Sequence, residues 1–154
     1  MKTDLLTPKQ RTTWVNYQQM RVRLAGRINR DLAQQTGLSE ADYEILTALI
    51  QSPDDTMRAL ALRCGLEWEK SRLSHQVRRM EQRGLVMREE CKEDNRGSII
   101  RITPHGRELA IKAQKSYEEA VQQYVISVLT PQQLQALDEI AGVILAQLPS
   151  EPQN

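Results

Sequence analysis

Phenylalanine is absent from the 154-residue sequence, and aromatic residues make up only 4% of it. The core must therefore be built from Leu, Ile, Val, Ala and Met, a set that favours helices. Long apolar runs are missing as well. None reaches the length of a membrane span, and Met1–Asp4 is not followed by the apolar segment of a secretory signal. The sequence therefore predicts a cytoplasmic protein with no membrane partner.

Cysteine and histidine number two residues each. Cys64 and Cys91 lack the spacing of a metal site or a disulfide framework, and no cluster of ligands surrounds His75 or His105. We therefore predict no metal site and no cofactor. A glycine-rich phosphate loop, a recognisable Ser/His/Asp arrangement and a zinc-binding helix motif are missing too, so an enzyme is not expected.

The charges are unevenly distributed, although the net charge is only +1. Residues 56–107 contain 12 Lys+Arg against 7 Asp+Glu, a net of +5, whereas the remainder carries 9 against 13, a net of -4. This asymmetry indicates an anionic partner for the middle segment. Uneven surface charge without a partner is the alternative.

Hydrophobic periodicity predicts six helices, the first three of them before residue 66. The first is long, with a capping box at Thr7–Gln10 and an end at Gly37. The second starts at Ser39–Asp42. Thr56 is predicted to cap a short third helix that ends at Gly65.

The period changes after the fourth helix, which is predicted from about Trp68 to Gln82. Residues 85–91 and 98–103 are rich in Val and Ile and are predicted as two short strands joined by a hairpin turn. The fifth helix starts at Thr103–Pro104 and the sixth at Thr130–Gln133. The sixth carries an apolar stripe of Leu134, Leu137, Ala141, Ile144, Leu145 and Leu148.

This order of elements predicts a mainly α fold with a small β-hairpin wing, the winged helix-turn-helix. In that arrangement the fourth helix lies in the major groove of DNA. Glu67 occupies the cap region of this helix, where Ser or Asp is more common. Trp68 is expected to pack at its start, with stacking near DNA as the alternative. Glu69 is expected to complement the positive end of the helix dipole.

The fourth helix also has the side chains for this role. If Leu73, Val77 and Met80 form its buried face, the opposite face carries hydrogen-bond donors and cations and no acid. Such side chains contact base edges or phosphates, although an ordinary solvated face is the alternative. The predicted DNA-contacting residues are Lys70, Ser71, Arg72, Ser74, His75 and Arg78 on this helix and Arg96 at the hairpin tip.

Three local motifs add a family resemblance. The run Asp94-Asn95-Arg96-Gly97 resembles the D-x-R-G wing motif of the MarR family of bacterial transcription regulators. The residues from Ile99 to Gly106 are similar to the second wing strand of that family and its L-T-x-x-G helix start. Arg83-Gly84-Leu85-Val86 resembles its R-G-L-V junction. The resemblance covers about residues 10–148.

The resemblance implies one MarR-type domain over residues 1–154, with a winged-helix lobe at about 38–103 and dimerisation helices at about 8–36 and 104–148. It also implies a ligand-responsive repressor that acts as a homodimer on an inverted-repeat operator. The apolar stripes of the first, fifth and sixth helices favour the same dimer, because one small lobe cannot cover them. Packing of all three helices within one chain is the alternative.

Many members of this family bind small aromatic or phenolic effectors between the dimer helices and the winged lobe. The candidate pocket residues here are Trp14, Tyr17, Met20, Arg21 and Tyr43, which could equally be core or interface residues. Two other functions stay open. One is a winged-helix dimer that serves protein–protein contacts without specific DNA binding, and the other is a regulator that senses oxidation through Cys91.

Overall fold

The computed structural model of the chain describes residues 4–90 and 97–149. Within these ranges the helices are α1 Pro8–Thr36, α2 Glu40–Ile50, α3 Ala59–Leu66, α4 Lys70–Gln82, α5 Pro104–Tyr124 and α6 Pro131–Gln147. The strands are β1 Thr56–Arg58, β2 Val86–Glu90 and β3 Ser98–Ile102, and short 3-10 turns lie at Pro53–Asp55 and Ile126–Val128. None of the described helices is long and apolar enough to cross a membrane.

The predicted starts of three helices are confirmed, and each uses a capping box. The hydroxyl oxygen of Thr7 accepts from the backbone N–H of Gln10, and the side chain of Gln10 accepts in return from the backbone N–H of Thr7. The same exchange opens α2 and α6. These reciprocal bonds satisfy backbone donors that a helix start otherwise leaves without partners. Gly37 ends α1 in the left-handed conformation, with a φ of 72°.

Both predicted boundaries of the third helix are wrong. Thr56 does not cap a helix but begins β1, which pairs antiparallel with β3 and places Thr56 opposite Arg101. The predicted hairpin is therefore part of a three-stranded sheet with the order β1-β3-β2. A strand of three residues is too short to show a period, and its partner lies far along the chain. Helix α3 ends one residue after Gly65, and Glu67 takes the left-handed cap with a φ of 57°.

The core lies between α2, α3, α4, the sheet and the first half of α5, and it contains no phenylalanine. Its aliphatic composition matches the expectation from the sequence, with Trp68 as an addition. The largest fully buried side chains include Leu32, Leu38, Ile45, Leu46, Leu49, Leu62, Met80, Leu85 and Ile100.

Helix α5 presents a row of small residues to the rest of the chain. Its buried positions are Gly106, Ala110, Ala113, Ser116 and Ala120. Small side chains allow a neighbouring helix to approach closely, because the distance between helix axes depends on the side chains at the contact. The second half of α1 packs along α5 and buries Ile28 and Leu32. The first half of α1 and all of α6 bury no residue.

Candidate nucleic-acid interface

Helix α4 has the two faces that the sequence predicts. Leu73, Val77 and Met80 are buried in the core. On the opposite side Lys70, Ser71, Arg72, His75 and Arg78 are exposed, and Ser74 is half-buried. The orientation of these six predicted contact residues is thereby compatible with DNA binding, whereas contact with DNA itself stays a prediction.

The start of α4 differs from the sequence prediction in its cap. Glu69, rather than Glu67, occupies the cap position, and its side chain makes no capping hydrogen bond. The expectation that Trp68 packs at the helix start is confirmed, since the side chain is only 7% exposed. The guanidinium of Arg72 lies over the indole, with Cζ 3.9 Å from the ring centroid. The helix therefore begins with a buried ring and a stacked cation.

The buried carboxylate of Asp42 holds α4 in place, a role that the sequence patterns did not predict. Asp42 on α2 is 1% exposed. Its Oδ1 accepts a 2.6 Å hydrogen bond from Nε2 of Gln76, and its Oδ2 accepts a 2.7 Å hydrogen bond from Nη1 of Arg83. Asp42 also completes the capping box of α2 with Ser39. The side chain of Asp42 therefore joins the start of α2 to the middle and the end of α4.

Gln76 is the residue on α4 whose position the sequence analysis missed. It is 6% exposed, and its Oε1 accepts a 3.0 Å hydrogen bond from Nη2 of Arg79. The helical periodicity of the sequence does indicate this position. At 100° per residue, Gln76 lies about 60° from Leu73 and so borders the buried face. A buried amide requires partners for its donors and acceptor. The sequence shows the position but not that Asp42 comes to meet it.

Glu44 on α2 is an acidic group that feels the charge of Arg72. The pKa of Glu44 is raised, first by its partial burial and then by the charge of Glu40, while the positive charge of Arg72 opposes the shift. No carboxylate of the described residues lies within ion-pair distance of Lys70, Arg72 or Arg78. These three cations have no anionic partner in the described part of the chain.

The stem of the wing is described, but its tip is not. Strands β2 and β3 pair antiparallel from Val86 opposite Ile102 to Glu90 opposite Ser98. Arg88 donates through Nε to the buried hydroxyl of Ser98 at 2.8 Å. The predicted DNA contact at Arg96 and the candidate redox residue Cys91 lie outside the described residues, so both stay predictions.

The junction after α4 and the start of α5 form one contact. The hydroxyl of Thr103 donates to the carbonyl oxygen of Gly84 at 2.6 Å and accepts from the backbone N–H of Gly106 at 2.9 Å. The backbone N–H of Thr103 donates to the carbonyl of Leu85 at 3.1 Å. A Cβ built on Gly106 would lie 2.1 Å from that carbonyl oxygen. Two of the resembling motifs therefore meet here and attach α5 to the winged lobe.

The candidate effector residues fall into two groups in the single chain. Trp14 contacts Tyr17 on the exposed half of α1, with ring centroids 5.2 Å apart, and Met20 is exposed beside them. Tyr43 stacks instead on Tyr117 of α5, with centroids 4.8 Å apart. Burial raises the pKa of both stacked tyrosines. An open groove of about 600 Å³ at the start of α1 includes Trp14 but not the other four candidates.

Arg21, the last of the five candidates, donates through Nε to the side chain of Gln18 on the same helix. The described residues contain no group of three or more His, Cys, Asp or Glu side chains that could hold a metal ion.

Comparison with known proteins identifies the family. A model of the MarR family matches residues 36–97. The HTH-type transcriptional regulator YdgJ of Bacillus subtilis is 24% identical over 106 residues, a match that spans 69% of this chain and 63% of that protein. The crystal structure of AbsC, a MarR family transcriptional regulator from Streptomyces coelicolor, superposes with a TM-score of 0.86 at 36% identity, over 95% of this chain and 98% of AbsC.

A second Streptomyces coelicolor structure is that of Sco3205, a MarR family transcriptional regulator in complex with DNA. It superposes with a TM-score of 0.88 at 32% identity, over 97% of this chain and 94% of that one. AbsC and Sco3205 are each about one third identical to this chain over nearly their whole length. Both also share its winged-helix fold. The chain therefore belongs to the MarR family of transcriptional regulators and is not an enzyme.

Proposed function

We propose that the protein binds specific sites on double-stranded DNA as a homodimer, with α4 of each subunit in the major groove. The observation that carries this proposal is the exposed face of α4. It holds Lys70, Arg72 and Arg78 without ion-pair partners among the described residues, and no acid lies between Lys70 and Met80. An ordinary solvent-exposed helix face usually carries charges of both signs. The exposed face of α4 carries only positive charge, which favours an anionic partner.

The dimensions of the helix support this placement. An α-helix with its side chains is about 10–12 Å in diameter, and the major groove is about 12 Å wide, so α4, with 13 residues and a length of about 20 Å, can lie in it. In helix-turn-helix proteins the first residues of the recognition helix contact base edges. Lys70, Ser71, Arg72, Ser74 and His75 occupy that region, and Arg78 lies further along for a phosphate. The complex of Sco3205 with DNA gives further support.

Helix α6 supports self-association. All of its residues are exposed in the single chain, including six large apolar ones: Leu134, Leu137, Ile140, Val143, Ile144 and Leu145. Leu148, directly after the helix, is exposed too. An apolar patch of this extent requires a cover. The first half of α1 also has exposed apolar side chains: Trp14, Val15, Tyr17, Met20 and Val22. The alternative of packing within one chain accounts for the second half of α1, but not for α6.

The charge distribution favours a second copy of this chain as the partner that buries these apolar residues. Residues 8–36 carry six Lys+Arg and one Asp, whereas residues 116–149 carry four Asp+Glu and no Lys or Arg. The basic helix α1 of one copy is therefore complementary to the acidic segment containing α6 of another. A two-fold dimer can form this pair of contacts twice, once on each side of its axis.

We expect Ile144→Glu to convert the protein to a monomer, because it places a charge in the middle of the apolar stripe of α6. Ala146→Glu is the matched control, since at 100° per residue it adds the same charge on the opposite side of that helix. Sedimentation equilibrium of the two variants checks this. A dimeric Ile144→Glu variant, or a monomeric wild-type chain, would contradict the proposed interface.

The remaining functional details follow from this dimer. A two-fold protein with two recognition helices fits an inverted repeat whose half-sites lie about one helical turn apart. Binding over a promoter would exclude the polymerase, so we propose a repressor. The exposed aromatic residues of α1 suit a small aromatic or phenolic effector. Such a ligand releases DNA only if it binds better to a dimer whose helices no longer match the half-site spacing.

Binding to DNA from the promoter region of its own gene, against a scrambled duplex of equal length, tests the proposal. At about 150 mM salt we expect a preference of at least about 1,000-fold for a single inverted repeat, with two subunits bound. The variant Arg78→Ala should bind both duplexes more weakly and lower the salt slope by about one. Lys112→Ala removes one positive charge from α5, outside the proposed contacts, and is the control. Equal, weak binding to both duplexes would indicate a protein partner instead.

A further inference from the structure

We propose that Arg72 reads one guanine in each half-site and that Trp68 is the positioning residue that holds its guanidinium for this contact. The inference rests on the proposed DNA binding through α4. It goes beyond it by naming the base pair that is recognised, the side chain that recognises it and the device that fixes that side chain.

The indole of Trp68 restricts the guanidinium of Arg72. Arg72 Cζ lies 3.9 Å from the ring centroid. Trp68 belongs to the buried core cluster, so the ring is a firmly held surface. A guanidinium stacked on an aromatic face loses rotational freedom, but its N–H donors point outward in the plane and stay available. Trp68 therefore restricts Arg72 without using its hydrogen bonds.

The donors of Arg72 are uncommitted in the described structure. It donates to no described residue, and no described carboxylate lies within ion-pair distance. Five other arginines of the described winged-helix lobe and the start of α5 have guanidinium groups bonded within the protein: Arg79, Arg83, Arg88, Arg101 and Arg107. Arg72 thus combines a restricted guanidinium with free donors, on the first turn of α4.

This combination matches a guanine better than a phosphate. In the major groove guanine presents two coplanar acceptors, N7 and O6, and a planar pair of N–H donors bonds to both. A phosphate can also accept a bidentate pair, but the first residues of a helix in the major groove contact base edges, and Arg72 lies among them. Holding the side chain before binding lowers the entropy that is lost on contact. The two-fold axis then places one such guanine in each half-site.

Replacement of guanine by 7-deazaguanine, which lacks the N7 acceptor, tests the contact in the operator located as above. Each guanine is replaced in turn, in both half-sites. At one position we expect the affinity of the wild-type protein to fall about 10-fold per half-site, and the affinity of Arg72→Ala to be unchanged by the replacement. Lys112→Ala, which removes one positive charge from the exposed side of α5, outside the proposed contacts, should keep the full wild-type response. If Arg72→Ala responds to every replacement as the wild-type protein does, Arg72 reads no guanine.

Three further variants test the contact and the positioning role. Arg72→Lys keeps the charge, so binding to scrambled DNA should be unchanged while the response to 7-deazaguanine is lost. Trp68→Leu removes the stack and should reduce that response to about 3-fold or less, whereas Trp68→Phe, which keeps an aromatic face, should retain most of it. A full response in a folded Trp68→Leu protein would overturn the role of the ring. If Trp68→Leu does not fold, a response of Trp68→Phe above that of the wild type would overturn it.

These outcomes are separable from a failure of the proposed function. If the wild-type protein shows no preference for any duplex, DNA recognition itself fails, and the guanine contact fails with it. If it binds one inverted repeat specifically but the replacements and Arg72→Ala act independently, only the assignment of Arg72 fails.

Discussion

Replacing Gly106 with alanine is expected to lower the melting temperature by about 6–12 °C, which corresponds to a destabilisation of about 3 kcal/mol. The new Cβ would lie 2.1 Å from the carbonyl oxygen and 2.9 Å from the carbonyl carbon of Leu85. Both atoms belong to the backbone, so no side-chain rotation relieves the overlap. The start of α5 must move away from the sheet, and the hydrogen bonds of Thr103 to Gly84 and Leu85 are then strained or lost.

Gly65→Ala is the matched control for this substitution. Gly65 also lies in a helix, but a Cβ there meets no atom within 4 Å. Its replacement should raise the stability by about 0.5–1 kcal/mol, because alanine loses less backbone entropy than glycine in a helix. Thermal unfolding of both variants at one protein concentration gives the comparison, since the proposed dimer would make the stability depend on concentration. Equal melting temperatures for Gly106→Ala and the wild type would show that the contact is not required.

Asp42→Ala is expected to destabilise the protein by about 3 kcal/mol. The substitution removes three acceptor contacts at once, from the backbone N–H of Ser39, from Gln76 and from Arg83. Arg83 is partly exposed and regains water, so the ion pair accounts for the smaller part of the loss. The larger part comes from the amide of Gln76, which stays buried without its partner, and from the lost cap of α2.

Glu89→Ala is the control for the loss of a carboxylate. Glu89 forms an ion pair with Arg101 in which both side chains are largely exposed, and its removal should change the stability by less than about 1 kcal/mol. Urea unfolding measures both variants. A double-mutant cycle of Asp42→Ala with Gln76→Leu isolates the buried contact. Similar small effects of Asp42→Ala and Glu89→Ala would contradict the anchoring role of Asp42.

The two contacts explain how α4 is held relative to α1 and α5. Gly106 attaches α5 to the junction that follows α4, and Asp42 attaches α4 to the start of α2, next to the end of α1. Helix α4 is therefore joined to α1 and α5 through short contacts rather than through a flexible linker. A ligand that shifts α1 against α5 would act on α4 through these same contacts, which is the coupling that a ligand-responsive repressor requires.

Much of the fold was predictable from local sequence signals. Capping boxes such as Thr7–Gln10 and the left-handed Gly37 involve residues within four positions of one another, so their partners are visible in the sequence. The two faces of α4 followed from helical periodicity for the same reason. Strand β1 and the end of α3 were predicted wrongly. The first depends on pairing with a distant strand, and the second on Glu67 adopting a conformation that glycine favours.

Local patterns along the chain were enough to predict the helical order, the composition of the core, the orientation of Lys70, Arg72, His75 and Arg78, and a family resemblance that the comparisons confirm. Three contacts became visible only in the folded chain: Asp42 with Gln76, Gly106 with Leu85, and Trp68 with Arg72. The difference lies in the range of the interactions. Caps and periodicity act within one or two helical turns, whereas a buried hydrogen bond or a close backbone contact joins residues that only the packing of the whole chain brings together.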